Sequence, residues 1–312
     1  MNTDLNGTAE LDSLSGPSAR RAGRSRRRGS AGVVAVSAAG ALAMLASPAA
    51  AVDGGTLVER WAYYGATPPV TAGFVGCPAG YLETAIGASS SAGLKSITPV
   101  SNGTAGHAAG EGSALSVQAV CTPSAQLPGV SYSNEIAKSA TPDYTWTGEV
   151  LCPSGYLAVG GGGATQTSRG VETAAALRSD TPISDGSGWI YTATSSDAQQ
   201  LSVTVACVSK PRAVVGRPAP VVMVNRTVYL PTGAASAANG GYATCPSGYV
   251  AMSGGAYLTN QSGSAQLTTS YRTHQPDGWW ADATNHGAST NAPNMLQVSA
   301  MCTQSAPVTK AG

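Results

Sequence analysis

The sequence predicts an all-β protein made of three disulfide-stapled repeats, and two observations carry this prediction. The string Cys-Pro-(Ala/Ser)-Gly-Tyr occurs three times, and each copy opens a segment that ends on a second cysteine. The residues before each closing cysteine alternate apolar with mostly polar side chains, as in Leu201-Ser-Val203-Thr-Val205. This period of two is typical of a strand with one buried face.

The chain begins with a segment that resembles a secretory signal. Six arginines precede an apolar stretch, residues 31–46, and small residues follow at Ser47 to Ala51. This order predicts a signal peptide over residues 1–51, by the general secretory or the twin-arginine route. An uncleaved anchor is the rival interpretation, but the apolar stretch is shorter than the roughly 20 residues that span a bilayer. We therefore expect a secreted protein with no membrane insertion after cleavage.

Three repeats follow the leader, over residues 52–125, 126–215 and 216–312. Each opening triplet after the cysteine favours a turn, because Pro fixes φ and Gly supplies a positive φ. The tyrosine then begins a short strand, and a glycine recurs ten residues after the cysteine, at Gly87, Gly162 and Gly255. Such a fixed offset indicates a β-bulge or a close backbone crossing.

The middle of repeats 2 and 3 predicts a hairpin. A second strand is followed by an Asp-Gly turn, at Asp185 and at Asp277, and then by a strand that begins with tryptophan. With the closing strand, each repeat contains roughly four antiparallel strands.

The six cysteines pair most economically within the repeats. Outside the cell, paired cysteines form disulfides, and the repeat predicts one per unit, as Cys77–Cys121, Cys152–Cys207 and Cys245–Cys302. No Cys-x-x-Cys or close Cys/His pair suggests a zinc site. We expect no metal and no cofactor.

The repeats could form three tandem small β domains or one body with pseudo-threefold symmetry. The segments between them carry apolar runs, such as Val221 to Val224, whereas a flexible spacer is polar or rich in Gly and Ser. We expect these runs to add strands to a neighbouring sheet, which favours the single body.

Three tandem Cys-Pro-x-Gly openings, each with a glycine-bearing strand and a closing strand that ends in cysteine, resemble the vitelline membrane outer layer proteins. The resemblance covers the spacing frame from Cys77 to Cys302. It implies a β-prism, in which three sheets surround a pseudo-threefold axis, and a role in an extracellular matrix or in sugar binding. It transfers no functional residue.

Charge and motifs narrow the function further. The leader contains six of the 17 basic residues and three of the 16 acidic ones, so the rest of the chain has a net charge near −2. Such a surface offers nucleic acid no basic stripe. No Gly-x-Ser-x-Gly elbow occurs, and the glutamates are scattered, so we expect no catalytic site.

Aromatic residues near the Asp-Gly turns are the best ligand candidates. Trp189 and Trp279 occupy equivalent places, where core packing is favoured over ligand contact. Trp280 faces the other side of its strand because adjacent residues alternate, so it is the leading candidate. The predicted ligand-contact residues are Trp280, Asp277, Trp189, Asp185 and Tyr271.

Three functional hypotheses remain. The first is lectin-like recognition of an extracellular carbohydrate or cell-wall polymer, and the sequence favours it. The alternative is a structural or interaction protein of the cell surface or matrix, with a protein partner, or a secreted protease inhibitor.

Overall fold

A computed structural model describes the chain from residue 57 to residue 304, with gaps. The described residues are 57–65, 71–99, 103–124, 127, 129–137, 140–141, 143–210, 221–230, 237–259, 265–285 and 295–304. The predicted signal peptide, residues 1–51, lies outside them. No helix within the described ranges is long and apolar enough to cross a membrane.

The described residues form strands and no α-helix, as the alternating pattern predicts. The strands are β1 (Val58–Gly65), β2 (Thr71–Gly76), β3 (Tyr81–Ser90), β4 (Gly93–Pro99), β5 (Ala105–Glu111), β6 (Ala114–Pro123), β7 (Ser131–Ala137), β8 (Thr145–Leu151), β9 (Tyr156–Gln166), β10 (Ala176–Pro182), β11 (Gly188–Thr194), β12 (Gln200–Ser209), β13 (Val221–Tyr229), β14 (Ala237–Thr244), β15 (Tyr249–Leu258), β16 (Ala265–His274), β17 (Asp277–Asn285) and β18 (Met295–Gln304).

Each pair of cysteines encloses four of these strands, as predicted. All three predicted disulfides form, each with a Cα–Cα distance of 5.7 Å. The closing cysteines are fully buried, because they continue the inward phase of their strands. A disulfide that closes a loop of this length stabilises the folded state by on the order of 4 kcal/mol.

The strands assemble into three six-stranded antiparallel sheets. In strand order, sheet A is β1-β6-β3-β16-β17-β14, sheet B is β2-β5-β4-β9-β12-β7, and sheet C is β13-β18-β15-β10-β11-β8. The four strands of a repeat therefore do not make one sheet. They divide between two sheets, and the two strands before each opening cysteine complete the six.

All three sheets follow one plan. The first, sixth and third strands of one repeat pair in that order, and the fourth, fifth and second strands of another repeat continue the sheet. Repeat 1 shares sheets with repeats 3 and 2, and repeat 2 with repeats 1 and 3. Three separate small domains would not share strands in this way. This cyclic sharing links the three repeats into one body. The arrangement of the sheets as a prism stays a proposal.

The recurring glycines lie where two repeats join. At Gly255 an added Cβ would stand 2.0 Å from the carbonyl oxygen of Asp180, and at Gly162 the same distance from that of Ile97. At Gly87 it would stand 2.7 Å from the Cα of Tyr271. The predicted close crossing is therefore confirmed: no side chain fits between these strands.

The core contains both tryptophans that follow the Gly turns. Trp189 lies over Gly161, and Trp279 lies over Gly254, with added-Cβ distances of 2.4 and 2.5 Å to the indole atoms. In repeat 1 the large residue and the glycine are interchanged. Ile86 stands where the other repeats have the glycine, Gly106 stands where they have tryptophan, and Ile86 packs on Gly106. Each repeat thus keeps one large and one minimal residue between its two sheets, as close packing requires.

Candidate functional site

One cross-strand row on the outer face of sheet A is rich in aromatic residues. The outer face is the one directed away from the buried tryptophans. On this face, the register of the strands aligns one residue from each of the six strands in a row. The aromatic row consists of Trp61, Gln118, Gly87, Tyr271, Trp280 and Tyr242. At about 4.8 Å between strands, the row is roughly 24 Å long.

Its rings contact one another in two groups. Trp61 meets Tyr271 edge-on, with centroids 5.5 Å apart, and stacks beside Tyr63 of the same strand at 6.3 Å. At the other end, the rings of Trp280 and Tyr242 are 4.3 Å apart and tilted by 48°. Tyr63 and Tyr242 are 73% and 43% exposed, and the other three rings are half-buried.

Glycine makes room for these rings. The indole of Trp280 crosses Gly240 on the neighbouring edge strand, where an added Cβ would stand 2.3 Å from the ring. Gly87 likewise lets the backbone of Tyr271 and the side chain of Gln118 approach, at 2.7 and 2.8 Å from the added atom. The rings can therefore lie across the sheet instead of standing away from it.

A polar row runs beside the aromatic row. The polar row consists of Tyr63, Ser116, Ser89, Thr269, Asp282 and Gly240. The hydroxyls of Ser89 and Thr269 are 3.1 Å apart. Asp282 is half-buried, its Oδ1 has no partner within the described residues, and burial raises the pKa of its carboxyl. Aromatic faces thus lie next to hydrogen-bonding groups.

A buried ionic cluster supports this face. Arg272 bonds Glu59 of β1 at 2.6 Å and Asp277 at 2.9 Å, while His274 and Gln118 both contact Glu59 at 2.9 Å. Burial alone would raise the pKa of Glu59, but the hydrogen bond from His274 and the charge of Arg272 outweigh it and hold the pKa below its usual value. The cluster joins the first repeat to the third.

The joint between β3 of repeat 1 and β16 of repeat 3 is completed by Gln118, whose side-chain amide bonds the backbone of β16 as a neighbouring strand would. Its Oε1 accepts a hydrogen bond from the backbone N–H of Arg272 at 2.8 Å, and its Nε2 donates to the carbonyl of the same residue at 3.2 Å. A primary amide thus makes the two bonds of a ladder partner where the paired register of β3 and β16 spans only two residue pairs. The position of Tyr271 in the aromatic row depends on this joint.

The aromatic row ends at a groove between the edges of sheets A and C. The groove has a volume of about 720 Å³. Its wall on β13 includes Val224, Arg226 and Val228, its wall on β14 includes Tyr242 and Thr244, and Trp280 completes it. A ligand that lies on Trp280 can therefore reach the edge of the sheet.

The structure separates the five predicted ligand-contact residues. Trp280 lies on the outer face, opposite to Trp279 as the alternation predicts, and Tyr271 lies beside it. Trp189 does not reach the surface, since it is 1% exposed and donates its indole N–H to Asp180 at 2.6 Å. We therefore remove it from the site.

The two turn aspartates have local structural roles. Asp277 accepts bonds from Arg272 and from the backbone N–H of Ala251, at 2.8 Å, so its oxygens hold the joint together. Asp185 is exposed and caps its own turn by accepting from the N–H of Ser187 at 2.8 Å. Neither residue lies in the aromatic row, because the turns follow the strands at the end of the sheet.

Sequence reasoning missed Trp61, Tyr63, Tyr242 and Asp282. The first two lie before the first cysteine frame, where the string Trp61-Ala-Tyr63 already shows the alternation of a strand with an aromatic face. Tyr242 was hidden by its glycine-rich context. Only the sharing of strands between repeats brings them together.

The equivalent rows of the other two sheets differ in composition. In sheet B the row contains Phe74 and His107, whose rings are 4.6 Å apart, and four residues without rings. In sheet C it contains no ring, and it consists of Glu149, Ile190, Thr181, Gly255, Ser299 and Asn225.

Within the described residues, no three His, Cys, Asp or Glu side chains are grouped to hold a metal ion. No protein-family model matches the sequence, and a search of curated proteins finds no significant match.

Proposed function

We propose that this chain is a secreted, non-catalytic binding protein whose sheet A recognises carbohydrate, in an extracellular glycan or a cell-wall polymer. The aromatic row is the observation that carries the proposal. Sugar rings have apolar C–H faces that pack on aromatic rings, and their hydroxyls need hydrogen-bonding partners, which the polar row offers. Three disulfides fit an extracellular location.

The proposal includes the arrangement of the sheets as a prism around a threefold axis. In such a body the three outer faces are separate surfaces, and only sheet A has the aromatic row. The proposal involves no cofactor and no nucleic acid. It requires no membrane insertion once the leader has been removed.

The test is an array of glycans and cell-wall polymers, probed with the exported protein and with Trp280→Ala. We expect a saturable hit whose Kd rises about tenfold in the variant, because loss of an aromatic contact costs about 0.5–1.5 kcal/mol beyond its buried area. Ile190→Ala is the matched control, since Ile190 has the same place in sheet C. It should leave Kd unchanged.

Thermal unfolding of both variants shows whether a lost signal reflects binding or folding. A blank array with a folded wild-type protein would contradict the carbohydrate proposal and favour the structural or protein-partner role. If Trp280→Ala and Ile190→Ala weaken binding to the same extent, sheet A is not the binding site.

A further inference from the structure

The corner between β1 and β2 contains a tyrosine that bridges two sheets. Tyr64 of β1 reaches the edge of sheet B, where its phenol oxygen accepts a hydrogen bond from the backbone N–H of Phe74 at 2.9 Å and donates one to the carbonyl of Phe74. The ring lies on Gly73, where an added Cβ would stand 2.2 Å from it. One hydroxyl group thus satisfies both outward-facing backbone groups of an edge residue.

The corner between β13 and β14 has the same plan without the phenol. Phe74 and Tyr242 both precede their opening cysteine by three residues, and a glycine precedes each of them. Val228 takes the place of Tyr64, since its methyl group would meet a Cβ at Gly241 at 2.4 Å. Valine is too short to reach the backbone of Tyr242, and the groove described above lies there.

The backbone groups of Tyr242 face this groove. Cys245 donates its N–H to the carbonyl of Asp277 on β17 at 2.9 Å, and the direction of backbone groups alternates along an antiparallel edge strand. Three residues earlier, the N–H and C=O of Tyr242 therefore point away from β17. The N–H of Gly240, two residues before Tyr242, should point the same way. It donates to the side-chain oxygen of Asn239 at 3.0 Å and not to β17, which agrees with this alternation.

We propose that the groove is a subsite for one sugar ring at a chain end or branch. A hydroxyl of that ring takes the place that the Tyr64 hydroxyl has in the other corner, accepting from the N–H of Tyr242 and donating to its carbonyl. The ring rests against Trp280 at the end of the aromatic row. Among the described residues, the groove lining includes Arg226 and no carboxylate, so a neutral or acidic hexose fits it better than a sugar with a free ammonium group.

This inference rests on the proposed function and adds to it. The aromatic row alone would hold any polymer with flat apolar faces along its length. The groove adds recognition of an end or a branch, because there the edge strand offers a donor and an acceptor fixed on the backbone of one residue, Tyr242. The two hydrogen bonds of the Tyr64 hydroxyl to the backbone of Phe74 support this position for the sugar hydroxyl.

The amide resonance of Tyr242 reports directly on the subsite. We expect titration with methyl glucoside, methyl galactoside or methyl mannoside to shift this resonance saturably in the exported protein. The compound 4-methylphenol, which has the atoms of the Tyr64 side chain, should shift it too and needs no variant. If none of the three hexosides shifts it, the inference is wrong.

Val228→Tyr is the matching variant, because it builds the phenol of the first corner into the second. The Tyr242 resonance should shift before any ligand is added and should then no longer respond to the hexoside. Thr227→Tyr is its control, since the neighbouring residue faces the other side of β13. It should respond like the wild type, and an unchanged response in Val228→Tyr would overturn the proposed pose.

The two proposals fail separately. If Trp280→Ala weakens polymer binding while Val228→Tyr leaves it unchanged and the hexosides do not move Tyr242, sheet A binds the polymer without the groove. If the hexosides move Tyr242 but the polymer array is blank, the groove holds a sugar and the polymer function of the face is wrong.

Discussion

Sheets A and C are built to the same plan and differ in what they present outward. Both have six antiparallel strands in equivalent order, and both have a glycine at the joint between two repeats, Gly87 in one and Gly255 in the other. The equivalent rows contain four aromatic residues in sheet A and none in sheet C. The sheet architecture therefore does not require aromatic residues at these places, and a separate role explains them better.

The joints of the two sheets also differ. Sheet A joins the first repeat to the last, and it uses charged side chains and the amide of Gln118 to do so. Sheet C joins the second and third repeats, where Asp180 is 2% exposed and accepts the indole N–H of Trp189. The joint of sheet A contains ionised side chains that pair across it, whereas the joint of sheet C contains a buried carboxyl that bonds within its own repeat. The two carboxyl groups, Glu59 and Asp180, should therefore respond in opposite ways to mutation and pH.

The largest effect is expected from Arg272→Met. The change leaves the carboxylates of Glu59 and Asp277 without the cation that they share, and breaking a buried ion pair by removing one partner costs about 3–5 kcal/mol. Urea unfolding measures the loss in the free energy of unfolding. Arg226→Met is the control, because this exposed arginine on sheet C should change stability by no more than about 0.5 kcal/mol.

A similar small loss in both variants would show that the cluster does not hold the joint. Loss of stability in Arg272→Met together with loss of polymer binding would link the joint to the aromatic row. Tyr271 precedes Arg272 in the chain, so a displaced β16 would move its ring away from Trp61.

The second prediction concerns the opposite titration of the two joints. The hydrogen bond from His274 and the charge of Arg272 outweigh burial and lower the pKa of Glu59 from 4.5. Its stabilising contribution is therefore present above that value and is lost as the pH falls through the folded-state pKa. Burial, only partly offset by the bond from Trp189, raises the pKa of Asp180 well above 3.8, so its contribution is complete in acid and is lost as the pH rises.

Two variants separate these contributions. Glu59→Gln should lower the free energy of unfolding at neutral pH, with a cost that vanishes in acid. Asp180→Asn should raise it at neutral and alkaline pH, with a gain that vanishes in acid, since the protonated acid and the amide both present an oxygen to Trp189. Unfolding by urea from pH 3 to pH 9 measures both, and a common sign for the two variants at neutral pH would contradict the assignment.

Local patterns predicted the parts of the fold that depend on neighbours in sequence. The disulfide pairing follows from the repeated cysteine frame, and the opposite facing of Trp279 and Trp280 follows from the period of two along a strand. The glycines at a fixed offset indicated a close crossing before its partner strand was known. None of these inferences requires knowing which strands of different repeats pair.

The candidate site could not be predicted in this way because it combines two repeats. Trp61 and Tyr271 are far apart in the chain and meet only because β3 and β16 pair across the joint. Asp277 looked like a turn residue that could face a ligand, whereas its oxygens bond Arg272 and Ala251. Both kinds of contact join strands that are not neighbours in sequence, which no local period encodes.

The smallest effect is expected at the far end of the aromatic row. Trp61→Ala should weaken binding of a long polysaccharide about 2- to 12-fold, because one aromatic contact of about 0.5–1.5 kcal/mol is lost. It should not affect a short ligand that occupies only Trp280 and Tyr242. Asn134→Ala, at the equivalent place in sheet B, should affect neither ligand.

Isothermal titration with oligosaccharides of increasing length checks this expectation. The ratio of the Kd of Trp61→Ala to that of the wild type should rise with chain length until the ligand spans the roughly 24 Å of the row. If the ratio is above one but is the same for the shortest and the longest ligand, Trp61 acts through folding of β1 and not through contact. A ratio of one at every length would confine recognition to the groove end of sheet A, since Trp61 would then contribute no contact.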